Sequence, residues 1–307
     1  MTTLGLSKYL LEACAKEGFE EPTPIQERVI PIALERHDIL ARAQTGSGKT
    51  ASFVLPILEM WANSVGEGKP KIKALVLTPT RELTAQVARA FESLGRSLPK
   101  RPKVVSIVGG EQIGEQLFAV QKGCDIVVAT SGRLLDILDK KQMNLSYLEF
   151  FVLDEADKML DLGFAAELDL ILASIPTKRQ NMLFSATYPP KVQGIASKIT
   201  QEPVSVEIED EEPTVENITQ RAIEVNHENR SPLLRHLLMS EKWGSVLVFM
   251  ASKRATENIS AKFRKYGFKA YSFHGDLEQD ERRHTLEEFK KRKIQILFAT
   301  DIAARGL

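Results

Sequence analysis

The sequence is poor in residues that staple or ligate. Its two cysteines are Cys14, in an amphipathic N-terminal helical pattern, and Cys124, at the start of an apolar run. That argues against a structural disulfide and fits a reducing, cytoplasmic setting. The five histidines are scattered, with no Cys/His pairs at metal-ligand spacing. No apolar stretch approaches the ~18 residues of a membrane span, so no membrane association is expected. The opening residues, MTTLGLSKYLLEACAKEG, lack the basic start and apolar core of a secretory signal. Net charge is missing as well, because 41 Lys and Arg balance 41 Asp and Glu. Any basic footprint for a polyanion must therefore be local.

What is present suits two domains: 307 residues, 43% hydrophobic and 27% charged. Short apolar, β-branched runs alternate with amphipathic stretches such as RELTAQVARAFESLGRSL (81–98). The runs include IKALVLTP (72–79), KVVSIVG (103–109), CDIVVAT (124–130), FFVLD (150–154) and NMLFSAT (181–187). Strands apolar throughout and separated by helices imply an α/β fold with a mostly parallel sheet covered on both faces. Several runs end in polar clusters, TPT, ATS, DEAD and SAT, where an open α/β sheet binds ligands.

The character changes at VSVEIEDEEPTVEN (204–217). Glu207, Glu209, Asp210, Glu211 and Glu212 precede Pro213, and crowded carboxylates beside a proline resist packing. Residues 208–217 read as an exposed linker between domains 1–207 and 218–307, with an acidic loop inside one domain as the alternative. The strand–helix pattern then restarts with ITQRAIEV, GSVLVFMAS, KAYSFHG and IQILFATD. The second unit is thin for an α/β domain of ~100–150 residues.

ARAQTGSGKT follows the short run DILARA and opens the helical stretch TASFVLPILEMW. Gly46, Gly48, Lys49 and Thr50 have the ending of a P-loop, with Ala43 in place of its usual first glycine. Glycines let backbone N–H groups turn in around phosphates, and the helix N-terminus adds its dipole. Lys49 would reach the β- and γ-phosphates, and Thr50 would ligate Mg²⁺. A P-loop needs an acidic partner on a neighbouring strand. Asp154 ends such a strand and would hold the metal, partly through water. Glu155 would orient the attacking water.

Together these residues resemble the DEAD-box family of ATP-dependent RNA helicases, superfamily 2. The resemblance runs from GFEEPTPIQ (18–26) through AQTGSGKT (43–50), PTREL (79–83), GG (109–110), TSGR (130–133), DEAD (154–157) and SAT (185–187). It continues with VLVFMAS (246–252), HGDLEQDER (274–282) and ATDIAARG (299–306). Among subgroups, RQNMLFSAT and ATDIAARGL look most like bacterial RhlE-type helicases. The resemblance implies two tandem RecA-like domains, the second incomplete, binding ATP–Mg²⁺ and RNA in the cleft and unwinding short RNA duplexes as a monomer.

It also implies roles. Ala43, Thr45, Gly46, Ser47, Gly48, Lys49 and Thr50 would cradle the nucleotide. Gln26 would hydrogen-bond the adenine edge, with Phe19 packed nearby; on chemistry alone, Gln26 is a polar residue at a helix start. Asp157, Ser185 and Thr187 would couple the ATP and RNA sites, although the hydroxyls could simply cap a following helix. Thr80, Arg81, Gly109, Gly110, Thr130, Arg133 and Thr300 would hold RNA phosphates and 2′-hydroxyls without reading bases. No aromatic stacking platform is apparent in this set.

Three departures from the family pattern matter. The isolated aromatic upstream of the Q motif would fall near Met1 and is absent. Ser131 stands where TPGR-type motifs carry proline, which would loosen that turn while keeping Thr130 and Arg133. ATDIAARG resembles the family's motif V, yet the Asp and the HRIGR-type arginines that would follow are absent. The expectation is a chain cut within motif V that hydrolyses ATP poorly, with Ile294–Ala299 left on an uncovered sheet edge. An ATP-gated RNA clamp without useful turnover is the alternative reading.

Overall fold

The computed structural model describes residues 1, 4–44, 46–64, 66, 68–208 and 219–301. The expected nucleotide contact Thr45, nearly all of the expected linker and most of ATDIAARG lie outside these residues. The chain divides into two compact units, Met1–Asp210 and Glu211–Leu307.

The first unit follows from strands too apolar to face water on either side. β1 (Ile39–Arg42), β2 (Ala74–Leu77), β3 (Val104–Ile107), β4 (Ile126–Ala129), β5 (Phe150–Leu153), β6 (Gln180–Ser185) and β7 (Val204–Glu207) form one sheet in the order β3-β4-β2-β5-β6-β1-β7. Every pair in it is parallel. Side chains alternate between two cores. Ala74, Val76, Val128, Val152 and Phe184 face one, with α1 (Lys8–Lys16), α2 (Pro24–Leu34), α3 (Lys49–Ser64) and α4 (Arg81–Gly95). Leu75, Leu77, Val127, Leu153 and Leu183 face the other. That face is covered by α5 (Ile113–Gln121), α6 (Ser131–Asp139), α7 (Ala156–Asp161), α8 (Ala165–Ala173) and α9 (Pro190–Ile199).

A buried carboxylate fixes one end of this register. Asp38 accepts hydrogen bonds from the Asn181 backbone N–H (2.6 Å), the Asn181 side-chain amide (3.0 Å) and the Gln201 N–H (2.8 Å). It thereby ties β1 to β6 and to the turn before β7.

The second unit contains α10 (Arg230–Ser240), β8 (Val246–Met250), α11 (Lys253–Lys265), β9 (Ala270–Phe273), α12 (Gln279–Lys290) and β10 (Ile296–Thr300). Its parallel sheet has the order β8-β10-β9. Phe263, Ile296 and Phe298 pack on one face, and Phe273, Leu297 and Ala299 on the other.

Two expectations are corrected here. Ile294–Ala299 is not an uncovered edge: β10 is the central strand, paired on both sides and buried from Ile296 to Ala299. Among the described residues, the strands of this sheet with an open side are β8 and β9, and Phe249 of β8 is 61% exposed. ITQRAIEV also forms no strand at residues 219–225. Apolar alternation makes a strand only where a ladder partner accepts its backbone groups.

An open apolar strand edge invites intermolecular pairing, and lysine there blocks it. Phe249→Lys is expected to reduce concentration-dependent aggregation, read by light scattering. The melting temperature should move by no more than about 2 °C, since an exposed substitution changes stability by about 0.5 kcal/mol or less.

Candidate active site

The strand order brings three loops together. β6 lies between β1 and β5, with Arg42 opposite Ser185 and Leu153 opposite Leu183. The P-loop leaves β1, the DEAD segment leaves β5, and SAT ends β6. Backbone bonds continue the ladder into the loops: Ala43 N–H donates to Ser185 O (3.2 Å), and Asp154 N–H to Leu77 O (3.0 Å).

At the P-loop, Gly46 and Gly48 have φ of +85° and +92°, where glycine avoids the Cβ clash. Gly48 is also needed for space, because a Cβ there would lie 2.6 Å from Gln26 Nε2 and 2.7 Å from Thr23 Oγ1. Gln26 is buried, and both ends of its amide are engaged. Oε1 accepts from Thr23 N–H (3.1 Å), as in a helix capping box, and Nε2 donates to Gly48 O (3.2 Å). In this structure Gln26 therefore braces α2 against the P-loop. Phe19 lies just past α1 and is 36% exposed. Ser47 Oγ donates to Gln44 O (2.8 Å), and Thr50 is half-buried in the first turn of α3.

Lys49 is buried, and its Nζ donates to Ala43 O (2.6 Å). Burial pulls its pKa down, and the nearby Asp154, Glu155 and Asp157 oppose that. Asp154 is pushed up to about 7, first by burial and then by Glu155, with Lys49 and Lys158 opposing. Glu155 sits in the left-handed region at φ +53°. That turns the chain sharply from β5 into α7, at a strain of roughly 1 kcal/mol. Lys158 Nζ holds Glu155 Oε1 (2.7 Å), while Oε2 is buried without a partner among the described residues.

Two adjacent buried carboxylates, one with an orphaned oxygen, face one buried ammonium. That donor set suits a divalent cation beside a phosphate chain: hard oxygen ligands for the ion, Lys49 and glycine N–H groups for the phosphate. Bound there, the cation would supply counter-charge for the phosphates.

Asp157 joins DEAD to SAT. Thr187 donates to Asp157 Oδ2 through its N–H (3.0 Å) and its hydroxyl (2.9 Å). Asp157 N–H donates to Ser185 Oγ (3.2 Å), which donates onward to Thr187 O (2.7 Å). The capping alternative for these hydroxyls does not hold, since α9 is preceded by Pro189 and has no side-chain cap bond.

The ends of β2, β3 and β4 bring the expected RNA residues of the first unit together. Thr80 caps α4, accepting from Leu83 N–H (3.2 Å). Gly110 has φ +80°, and a Cβ on it would lie 2.1 Å from Arg81 Nη1. Arg133 Nη1 donates to Glu111 O (3.1 Å) and Gln116 Oε1 (3.4 Å), so Arg81 and Arg133 both border the Gly109–Gly110 turn. Thr130 precedes α6 without a side-chain cap bond. Ser131 does not loosen the turn: it is buried and donates to the Glu167 carboxylate, tying α6 to α8. Thr300 ends β10 in the second unit, half-buried.

The sequence matches the DEAD/DEAH box helicase family over residues 23–195 and the helicase conserved C-terminal domain over 229–307. The chain belongs to the DEAD/DEAH-box helicase family. It is 40% identical over 302 residues to the DEAD-box ATP-dependent RNA helicase CshA of Bacillus subtilis, covering 98% of this chain and 60% of that protein. The Geobacillus kaustophilus CshA is also 40% identical, with 100% and 65% covered. The chain thus spans under two thirds of the length of these relatives. Among solved structures, a DEAD box protein from Methanococcus jannaschii is 40% identical, covering 100% of this chain and 81% of that one, with a TM-score of 0.63. Saccharomyces cerevisiae Dbp5 bound to RNA and ADP BeF3 is 28% identical, covering 100% and 77%, with a TM-score of 0.80. The two units are RecA-like helicase domains, the second carrying the smaller, three-stranded sheet. No helix among the described residues is long and apolar enough to cross a membrane.

Sequence reading missed Thr23, Glu111, Gln116, Lys158 and Glu167. Lys158 was open to discovery, being three residues after Glu155 on a short helix. The others act across elements that only the fold brings together.

Asp154 gives a pH signature in the nucleotide-free protein. Its folded pKa lies above the unfolded carboxylate value near 4, so folding disfavours its ionised form. The penalty grows as pH rises through about 4 to 7 and then levels. Asp154→Asn, compared with wild type by denaturant unfolding without Mg²⁺, is expected to gain roughly 2 kcal/mol relative to wild type between pH 5.5 and 7.5. A pH-independent difference would contradict the burial argument.

Proposed function

We propose that this DEAD-box chain is the catalytic core of an ATP-dependent RNA helicase. It binds ATP with Mg²⁺ through residues 1–207, joins that domain by the acidic linker 208–217 to a second at 218–307, and separates short RNA duplexes by ATP-driven closure. Gly46, Gly48, Lys49 and Thr50 hold the phosphates and ion, with Thr45 and Ser47 on the same loop. Asp154 carries the ion and Glu155 orients the attacking water. Gln26 and Phe19 meet the adenine once Gln26 gives up its bond to Gly48 O. Arg81, Arg133, Thr80, Thr130, Thr300 and the Gly109–Gly110 backbone hold RNA phosphates and 2′-hydroxyls. Binding is sequence-tolerant because these groups address the backbone. The working unit is a monomer in the cytoplasm. The CshA relatives give no support to an RhlE-type subgroup.

The observation that carries this reading is the Asp157–Thr187–Ser185 bond set. It links the carboxylate loop of the candidate ATP site to the end of β6 through side chains, so a change at one end is felt at the other. The CshA relatives bear an ATP-dependent RNA helicase name, and the Dbp5 structure holds RNA and a nucleotide.

The test is phosphate release by the 307-residue chain with and without RNA, against a Lys49→Ala control. Turnover is expected to be slow, as the sequence anticipates, but raised by RNA above that control, with Lys49→Ala lowering it about 100-fold or more, as for loss of a charge-stabilising group. Turnover at background despite ATP and RNA binding would make the chain an ATP-gated RNA clamp. Absence of ATP binding would sink both readings.

In the same assay, Thr187→Val removes one of the two bonds from Thr187 to Asp157. ATP affinity is expected to stay within about twofold, while RNA stimulation falls about tenfold, which is 1.4 kcal/mol of coupling.

A further inference from the structure

The C-terminal ends of the first unit's strands carry the candidate active site. The opposite end, where β2, β3, β4 and β5 begin, has chemistry that the helicase reading leaves unused. Segments 66–73, 100–103, 122–125 and 139–149 hold nine Lys and Arg against four Asp and Glu, in a chain of zero net charge. Parallel strand order places the described residues of all four segments at that end of the sheet.

The basic groups there are little neutralised. Lys73 pairs with Glu149. Lys100 Nζ donates to a neutral carbonyl, Gly66 O (2.9 Å), and not to a carboxylate. Lys69, Arg101 and Lys103 are exposed and have no anionic side-chain partner among the described residues. Two adjacent clefts of about 200 Å³ flank Pro70–Lys71. One is lined by Lys69, Lys71, Lys73 and Lys100 with a single carboxylate, Asp125, and the other by Gln121, Gln142, Asn144 and Tyr147.

Aromatic rings lie among these charges. Tyr147 is 45% exposed with Lys71 Nζ 4.0 Å from its ring centre, and Phe118 is 58% exposed with Lys122 Nζ at 4.1 Å. Alone, a lysine-rich loop is a solvated face. Lysines interleaved with exposed rings, beside a cleft lined by side-chain amides, match three features of single-stranded RNA: phosphates, stackable bases and hydrogen-bonding base edges. An acidic peptide would use only the lysines.

We infer that this end of the sheet is a second RNA-contacting surface, holding single-stranded RNA that extends beyond the segment at the candidate active site. The inference rests on the RNA-helicase reading. Its test uses the full chain, with fluorescence anisotropy on 10- and 30-nucleotide single-stranded RNAs. The charge-reversal variant Lys69→Glu/Lys71→Glu/Lys100→Glu is expected to bind the 30-mer at least tenfold more weakly. Its salt slope should fall by about two, at ~0.7 per phosphate contact. The 10-mer and an ATP analogue should bind within twofold of wild type, the latter reporting an intact fold. Phe118→Ala/Tyr147→Ala should weaken the 30-mer severalfold at unchanged salt slope. Arg133→Ala should weaken both lengths. Unchanged 30-mer binding by the charge-reversal variant overturns the second surface while leaving the helicase reading standing. Equal losses on 10-mer and 30-mer would also overturn it, as would loss of binding to acidic lipid vesicles with RNA affinity intact. If wild type binds neither RNA, the helicase reading falls and the inference falls with it.

Discussion

Ser185 ends β6, the strand lying between the one that runs into the P-loop and the one that runs into DEAD. That position is the constraint on which the first unit depends. With β6 in between, Ser185 O receives the Ala43 N–H from one side and Ser185 Oγ the Asp157 N–H from the other. A different strand order would leave the phosphate loop and the acidic loop at separate places on the sheet edge. The Asp38 contacts at the far end of β1 and β6 hold the same register, so the geometry is pinned at both ends.

The same edge concentrates charge under little solvent. Asp154, Glu155 and Asp157 are buried with Lys49, and they differ in how they are satisfied. Asp157 accepts three hydrogen bonds, two from Thr187 and one from Lys158 N–H. Among the described residues, Asp154 accepts only the Glu155 N–H, and one Glu155 oxygen is orphaned. The well-bonded carboxylate is the one suited to transmit structure, and the under-bonded pair is suited to take a ligand. Strain sits at the same place, in the left-handed Glu155, while the positive-φ Gly48 of the P-loop makes room for Gln26 and Thr23 without it.

The second unit follows the same parallel rule with fewer strands. β10 occupies the middle because its apolar face residues find neighbours on both sides, in β8 and β9. The reading of a chain cut within motif V suggested that Ile294–Ala299 would lie on an uncovered edge, but order along the chain does not set order in a sheet. A right-handed crossover can insert a late strand between two earlier ones.

By itself, the sequence determined what is local. Apolar runs without alternation marked strands buried on both faces, polar clusters at their ends marked the candidate functional edge, and the GSGKT and DEAD spacings marked the residues proposed to hold phosphate and metal. Tertiary structure alone decided what depends on contacts between distant residues. These include the order β3-β4-β2-β5-β6-β1-β7, the pairing of Gln26 with Gly48, the Ser131–Glu167 tie, and the gathering of lysines and rings at the far end of the sheet. The physical reason is range. Burial pattern and turn chemistry are written within a few residues of where they act. A ladder register or a buried hydrogen bond is chosen by the whole core that must close around it.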